Sequence, residues 1–241
     1  MHVDISSEAK LGKDVQVGNH TLIEKNVMIG DHVYLGRNVI VREGTVIDRD
    51  CILEDNVIIG YHTLNRIHNT SVVQSGTYIG KGTLIRPNSV LYYGSRIGSF
   101  SMINHSVIIR EGTVIGDHTS IGCLVKMEGY TTIGSHCSIH ALSALTSFMV
   151  IEDNVFVGPG VIMMNDAEMD YKRGHTSEKK GPYIKVGARI GGHVTLCPGI
   201  TVGREAFVVS GAMVTHSIPD FGKVAGVPAR LIGYSEGRAC Q

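Results

Sequence analysis

The stretch IGDHTSIGCLVKMEGYTTIGSHCSIH, residues 115–140, decides the fold of this protein. It places isoleucine or methionine at every sixth position, in the series Ile115, Ile121, Met127, Ile133 and Ile139. A period of six matches neither the about 3.6 residues of a helical turn nor the simple alternation of a long strand. It is typical of very short strands joined by identical turns.

The same spacing extends through most of the 241 residues. Ile, Leu, Val or Met recurs every six residues over 11–59, 67–163 and 184–214. Periodicity on this scale indicates a solenoid. With three such hexads in each triangular coil, the sequence predicts an all-β protein, a left-handed parallel β-helix of about 10–11 coils.

The other positions of the hexad also have an expected place. The fourth residue after the aliphatic is small or β-branched, as at Thr119 and Cys137, which predicts that it too points into the prism. The third is rich in Asn, Asp and His, which tolerate the left-handed backbone of a tight corner. The predicted corner residues include His20, His32, Asn38, Asn56, His118, His136, Asn154 and His193.

Three segments interrupt the repeat and complete the expected organisation. Extra residues near 61–65 should bulge from one corner, and the charged stretch MMNDAEMDYKRGHTSEKKGP, residues 163–182, has no period. Long loops on rigid scaffolds tend to be functional. We therefore expect a single domain over 1–241, with β-helix at 11–163 and 184–216, a projecting loop at 164–183 and a C-terminal cap at 217–241.

Composition excludes several classes of partner. The 22 basic residues balance the 22 acidic ones, so the net charge favours neither nucleic acid nor an anionic membrane. No apolar run near the start resembles a signal peptide and none approaches a membrane span, which predicts a cytoplasmic protein. The five cysteines form no CxxC pair, so we expect reduced thiols that serve mainly in packing.

The pair His136 and His140 has the spacing of a helical zinc site, but a six-residue repeat excludes a helix here. His136 falls at a corner. His140 directly follows the inward Ile139, so it should point outward, in a column with Asn104, Gly122 and Gly158. Glycines above and below would leave open space around it. The residues alone leave two interpretations of His140, a solvated surface histidine or a site residue.

The repeat, together with the ending VAGVPARLIG at residues 224–233, resembles the hexapeptide-repeat acyltransferases. A narrower likeness involves IRPNSVLYYGSRIG (85–98), SVIIREGTVIG (106–116), IGSHCSIHA (133–141) and the pair Asn165–Asp166. These segments are similar to bacterial N-acetyltransferases of nucleotide-linked amino sugars. The most similar group acetylates the 3-amino group of dTDP-3-amino-3,6-dideoxyhexoses.

This resemblance implies a homotrimer with active sites between subunits. His140 matches the histidine of one chain, and Asn165 and Asp166 match the Asn-Asp pair of its neighbour that anchors the hexose. His140 and Asp166 would be catalytic, His140 as a general base or by orienting a sugar hydroxyl. Ser147 stands where the family has an acidic residue. The nucleotide sugar would also contact the residues that match its platform, namely Arg86, Tyr92, Tyr93, His105 and Arg110.

The resemblance further implies acetyl-CoA as co-substrate and no metal. The small residues Gly192, Ser210 and Ala212 would let its pantetheine arm approach the last coils. Lys185, Arg189 or Arg230 would meet its phosphates. No Walker loop or strand-linked GxGxxG is present.

Three other functions compete with this interpretation. One is an O- or N-acetyltransferase for a free small molecule such as serine, a galactoside or a xenobiotic. Another is a metalloenzyme like the γ-type carbonic anhydrases, which share the prism, although the closely spaced outward histidine pair of that family is missing here. The last is a non-catalytic β-helix scaffold, which would not need the charged loop.

Overall fold

The computed structural model describes residues 3–62, 76–169 and 179–235, and in these ranges the chain forms only strands and turns. The first range contains β1 (Asp4–Ile5), β2 (Lys10–Leu11), β3 (Gln16–Val17), β4 (Leu22–Ile23), β5 (Met28–Ile29), β6 (Tyr34–Leu35), β7 (Ile40–Val41), β8 (Val46–Ile47), β9 (Ile52–Leu53) and β10 (Ile58–Tyr61). The second contains β11 (Tyr78–Ile79), β12 (Leu84–Ile85), β13 (Val90–Tyr92), β14 (Arg96–Ile97), β15 (Met102–Ile103), β16 (Ile108–Ile109), β17 (Val114–Ile115), β18 (Ser120–Ile121), β19 (Lys126–Met127), β20 (Thr132–Ile133), β21 (Ser138–Ile139), β22 (Ala144–Leu145), β23 (Val150–Ile151), β24 (Phe156–Val157) and β25 (Ile162–Met163). The third contains β26 (Tyr183–Ile184), β27 (Arg189–Ile190), β28 (Thr195–Leu196), β29 (Thr201–Val202), β30 (Phe207–Val208), β31 (Met213–Val214), β32 (Gly222–Ala225) and β33 (Arg230–Tyr234).

The strands form three sheets that the chain visits in rotation. Sheet A holds β1, β4, β7 and every third strand to β31; sheet B holds β2, β5 and every third strand to β29; sheet C holds β3, β6 and every third strand to β30, followed by β32 and β33. From β1 to β28, each strand pairs in parallel with the strand three places later, as Ile121 does with Ile139. The predicted left-handed parallel β-helix of about 11 turns is confirmed.

The interior is a stack of the period-six aliphatics. Ile97, Ile103, Ile109 and Ile121 are fully buried, because the last residue of each two-residue strand points into the prism. The small fourth residues are buried beside them, and their hydroxyls connect successive coils. Thr119 Oγ1 donates to Gly134 O (2.9 Å) and accepts from Cys137 N (3.1 Å).

The corners have the predicted backbone. All eight predicted corner residues have positive φ, from 53° at His118 to 62° at His20 and Asn56. The turns form three edges of the prism, which we name by the sheets they join. The C–A edge includes residues 104–107, 122–125 and 140–143; the A–B edge includes 110–113, 128–131 and 146–149; the B–C edge includes 98–101, 116–119 and 134–137.

The boundaries of the helix differ from those predicted. The coil already includes β1, which pairs with β4, so it begins at Asp4 and not at Leu11. Ile59 lies in sheet A and Ile79 in sheet B, so they belong to consecutive hexads although they are more than six residues apart. The predicted period-six positions Ile67 and Val73 lie outside the described residues. The insertion therefore occupies more than the five residues expected.

The long loop and the cap can be compared with prediction in the described residues. Residues 164–169 and 179–182 contain no strand, whereas 170–178 lie outside the described residues. The segment assigned to the cap adds β32 to sheet C in parallel with β30, and β33 pairs with β32 antiparallel. Both departures from the repeat, after β10 and after β25, leave from the A–B edge.

Candidate active site

His140 lies on the C–A edge directly after β21. Its side chain is exposed, and its ring centroid lies 4.7 Å from that of Phe156. Strand register confirms the column of Asn104, Gly122, His140 and Gly158. The open space expected from the glycines is wrong: a Cβ on Gly122 would lie 2.5 Å from Ala141 N, so this glycine lets the coils approach closely.

His136 and Cys137 of IGSHCSIH lie at the corner and inward positions predicted for them. His136 is an exposed corner residue on the B–C edge, and its ring stacks on that of His118 at 5.0 Å. Cys137 is 2% exposed, and its thiol donates to Glu152 O at 3.1 Å. Burial raises the pKa of Cys137, so this thiol is unsuited to be a nucleophile.

Ser147 and Asn165 meet on the A–B edge. Asn165 Nδ2 donates to Ser147 Oγ at 2.9 Å, since the two residues occupy the same hexad position in successive coils. Asp166 follows at the start of the loop, where its Oδ1 accepts the backbone N–H groups of Glu168 (3.1 Å) and Met169 (2.9 Å). The base of the loop returns at Lys180, whose N–H donates to Asn165 O at 2.9 Å.

Within one chain, His140 and the Ser147–Asn165 pair do not meet. His140 and Ser147 belong to the same coil but to two different edges, with strand β22 of sheet A between them. One side of the triangle is six residues long, or roughly 15–20 Å. A group bound at Asn165 therefore lies about one side of the triangle away from the same chain's His140.

The five residues matched to the sugar-nucleotide platform also divide between the two edges. Arg86 and His105 lie on the C–A edge. Arg86 Nη1 pairs with Glu54 Oε1 at 2.8 Å, and His105 Nδ1 lies 3.8 Å from Cys123 Sγ. The structure does not bring these two residues to the other three.

Tyr92, Tyr93 and Arg110 lie on the A–B edge, several coils before Ser147. Arg110 pairs with Glu111 (2.9 Å) and Glu128 (3.2 Å) and lies over the Tyr92 ring. Burial lowers the pKa of Arg110, but the hydrogen bond and charge of Glu111, with the charge of Glu128, outweigh this and raise it. The guanidinium is thus protonated, and the carboxylates of Glu111 and Glu128 balance its positive charge.

One aromatic residue at this edge was missed by the sequence reasoning. The Tyr61 ring lies edge-on to that of Tyr92, with centroids 5.0 Å apart. Tyr61 ends β10, where the register with β13 shifts by one residue. The sequence analysis expected a bulge near residues 61–65 but no contact between Tyr61 and Tyr92, because the period that predicts side-chain positions breaks at Tyr61.

The residues assigned to the acyl donor separate into accessible and inaccessible ones. Gly192 and Ser210 lie on the C–A edge, in the coils beyond His140. Ala212 is wrong as a donor contact: it is 1% exposed, because it occupies the inward fourth position of its hexad. The hexad rule, applied consistently, would have excluded it.

The three predicted phosphate-binding cations differ in their surroundings. Lys185 Nζ pairs with Asp220 Oδ1 at 3.2 Å, a contact that ties the cap to the last coils. Arg189 projects from sheet C, 3.9 Å from Glu205. Arg230 is exposed at the start of β33, where its Nη1 donates to Ala229 O. Lys223 on sheet C, which the sequence analysis did not select, is also exposed.

In 3–62, 76–169 and 179–235, no group of three or more His, Cys, Asp or Glu side chains is placed to hold a metal ion. The same ranges contain no helix of the length and apolar character needed to cross a membrane.

Comparison with known proteins agrees with the repeat. Residues 14–49 match the family described as bacterial transferase hexapeptide (six repeats). The matched segment lies in the first coils of the β-helix. The chain superposes on LpxA from Acinetobacter baumannii with a TM-score of 0.58 over 96% of its own length and 72% of that chain, at 17% identity. A UDP-N-acetylglucosamine acyltransferase from Campylobacter jejuni gives a TM-score of 0.55 at 16% identity, over 96% and 73% of the two chains. Both similarities show the fold.

Two curated relatives are named as acetyltransferases. Serine acetyltransferase 2 of Arabidopsis thaliana is 32% identical over 88 residues, which is 36% of this chain and 27% of that protein. Galactoside O-acetyltransferase of Escherichia coli (strain K12) is 33% identical over 90 residues, 35% of this chain and 43% of that protein. The matches thus span about a quarter to two fifths of these relatives.

Proposed function

We propose that the protein is an acyl-CoA-dependent N-acetyltransferase that acetylates the amino group of a nucleotide-linked hexose, a dTDP-3-amino-3,6-dideoxyhexose. The observation that carries the proposal is the position of His140 and the Ser147–Asn165 pair on the two edges that border sheet A, at nearly the same height. Two copies in a homotrimer, edge against edge, would form a site with the histidine of one and the amide of the other. The acetyltransferase relatives support the reaction class.

The chemistry required of these residues is modest. The neutral sugar amine attacks the thioester carbonyl, the C–S bond breaks, and the amine proton leaves while CoA departs as the thiol. His140 accepts that proton or orients a sugar hydroxyl, a role for which an imidazole is suited near neutral pH. Asn165 holds the hexose through its amide. Asp166 favours the amine by charge or by a hydrogen bond.

A second candidate is an acetyltransferase for a free small molecule. It is favoured by the identity of the sequence relatives, which are named for serine and galactosides. The separation of Tyr92 and Arg110 from Ser147 along the A–B edge favours the longer, nucleotide-linked acceptor, because a free amino acid or monosaccharide cannot span those coils. A non-catalytic scaffold would have no use for either set of residues.

The test measures thiol release from acetyl-CoA against dTDP- and UDP-linked 3-amino and 4-amino sugars, with serine and galactosides as controls. We expect rapid turnover of one dTDP-3-amino sugar. His140→Asn should lower kcat/KM for it by about 10²-fold or more, the usual contribution of a positioned acid–base group. Turnover of serine or a galactoside alone would replace the proposal with the second candidate.

His136→Asn is the matched control for His140→Asn. It makes the same change four residues away, at a corner where asparagine adopts φ of 57° readily. We expect its activity to equal that of the parent protein. Near-normal turnover by His140→Asn would remove His140 from the site.

A further inference from the structure

Sheet C carries a row of outward side chains that begins beside His140. Strand register aligns Ser138, Phe156, Arg189, Phe207 and Lys223 on five successive strands, from β21 to β32. Phe156 contacts the His140 ring, so the row starts at the candidate site and runs toward the cap. Its far half is cationic and aromatic.

Phe207 lies between two cations. Arg189 Cζ is 5.5 Å from the ring centroid and Lys223 Nζ is 5.4 Å from it, each projecting from a neighbouring strand. Both distances are within the range of a cation–π interaction. Glu205 approaches Arg189 only at 3.9 Å, and among the described residues Lys223 forms no ion pair. Arg189 and Lys223 are therefore held at the Phe207 ring, and other side chains neutralise little of their positive charge.

The length of the row matches that of coenzyme A. Strands in a sheet are about 4.8 Å apart, so Phe207 lies three steps, or roughly 14 Å, from Ser138, and Lys223 lies roughly 19 Å from it. From its sulfur to the first phosphate, the pantetheine arm of coenzyme A has about as many bonds as the backbone of four residues. When extended, it is therefore roughly 15 Å long. A thioester at His140 therefore brings the diphosphate close to Arg189 and Phe207, and the 3′-phosphate close to Lys223.

The C–A edge beside this row is close-packed at Gly158, where a Cβ would lie 2.5 Å from Gly192 N, and open at Gly211. Gly158, Gly192 and Gly211 occupy its turns on the C–A edge, and a Cβ on Gly211 would have no atom within 4 Å. Lys185, by contrast, follows a sheet B strand and is paired with Asp220. Arg230 lies on β33 opposite Ala225, outside the row.

We infer that Lys223 binds the 3′-phosphate of coenzyme A and Arg189 its diphosphate, with Phe207 holding both cations in place. The inference rests on the proposed acyl-CoA-dependent function and assigns the nucleotide end of the donor to sheet C of the last coils. Charge-assisted contacts with phosphate are among the stronger polar interactions. Removing one of these contacts should therefore change the affinity for CoA relative to that for 3′-dephospho-CoA.

The experiment compares CoA with 3′-dephospho-CoA by isothermal titration calorimetry of the full chain. Lys223→Met removes the charge but keeps an apolar stem over Phe207. We expect it to weaken CoA binding about tenfold, equivalent to about 1.4 kcal/mol, and to leave 3′-dephospho-CoA binding unchanged. Lys223→Arg should retain most of the preference, and Lys10→Met, at an exposed strand position of the first coils, should retain all of it.

Each other outcome overturns the inference. If Lys223→Met binds both donors as the parent does, Lys223 makes no phosphate contact. If it weakens both equally, its role is general and not directed to the 3′-phosphate. If the parent protein binds neither donor, the proposed acyl-CoA-dependent function fails first, and the inference fails with it.

Discussion

At the scale of single residues, the inward positions determine how the thiols behave. Cys51 is fully buried, and its thiol donates to Gly80 O at 3.1 Å. Burial raises the pKa of Cys51 to about 11, although backbone hydrogen bonds act in the opposite direction. Several equivalent positions, such as Thr83 and Ser101, carry a hydroxyl that donates in the same way, so Cys51 acts as a hydroxyl-like hydrogen-bond donor that can also ionise.

This shift predicts an alkaline loss of stability. The folded state keeps Cys51 protonated to about pH 11, whereas the unfolded thiol ionises near 9.0. The stabilisation is therefore complete below pH 9.0 and is lost as pH rises toward 11. Between pH 8 and 10.5, the parent should lose about 2 kcal/mol more free energy of unfolding than Cys51→Ser or Cys51→Thr, measured with urea. Equal losses in parent and variants would show that Cys51 does not contribute.

At the scale of the element, the coils are joined by side chains as well as by strands. Asp117 Oδ1 accepts Ser99 N at 2.6 Å, and Asp153 Oδ1 accepts Ser135 N at 2.7 Å, each across one coil. Thr119 does the same inside the prism. Thr113, like Thr45, is an exception: it is fully buried, and its Oγ1 has no hydrogen-bond partner.

The contrast between the two threonines gives a matched pair of variants. Thr119→Val should destabilise the protein by about 1–3 kcal/mol, because Gly134 O and Cys137 N lose their partner in the core. Thr113→Val should be neutral or stabilising, because it removes an unpaired buried hydroxyl without changing the shape of the side chain. Chemical denaturation measures both. A similar cost for the two variants would show that volume and not hydrogen bonding determines the effect.

The elements also show how far the sequence could be interpreted. The period alone placed Ile139 inside, His136 at a corner and His140 outside, because each hexad repeats one local geometry. The predicted hexads at Ile67 and Val73 lie outside the described residues and stay predictions. Tyr61 and Lys223 could not be found, since one lies at a bulge and the other in the cap, where the repeat no longer determines position.

At the scale of the whole molecule, the proposed site needs two chains. His140 and Asn165 lie on the two edges that border sheet A, separated by a side of the triangle. A ring of three copies related by rotation would bring unlike edges together three times. The sequence indicated this only through family resemblance, because a single chain carries no pattern that determines its neighbours.

Subunit mixing tests this arrangement. His140→Asn and Asn165→Ala should each be inactive alone. After they are unfolded together and refolded at equal amounts, about a quarter of sites in random trimers should combine an intact His140 with an intact Asn165, which restores about a quarter of the parent activity. Each variant refolded by itself is the control. No recovery from a mixture that forms mixed trimers would place both residues in a site within one chain.

Strands before the long loop pair with strands after it, so the fold does not depend on an unbroken backbone within the loop. Strands β23, β24 and β25 before the loop pair with β26, β27 and β28 after it. A backbone cut between residues 169 and 179 would leave two polypeptides that these three strand pairs still hold together. The protein is therefore a candidate for division into two separately expressed halves that recognise each other by sheet edge and shared core.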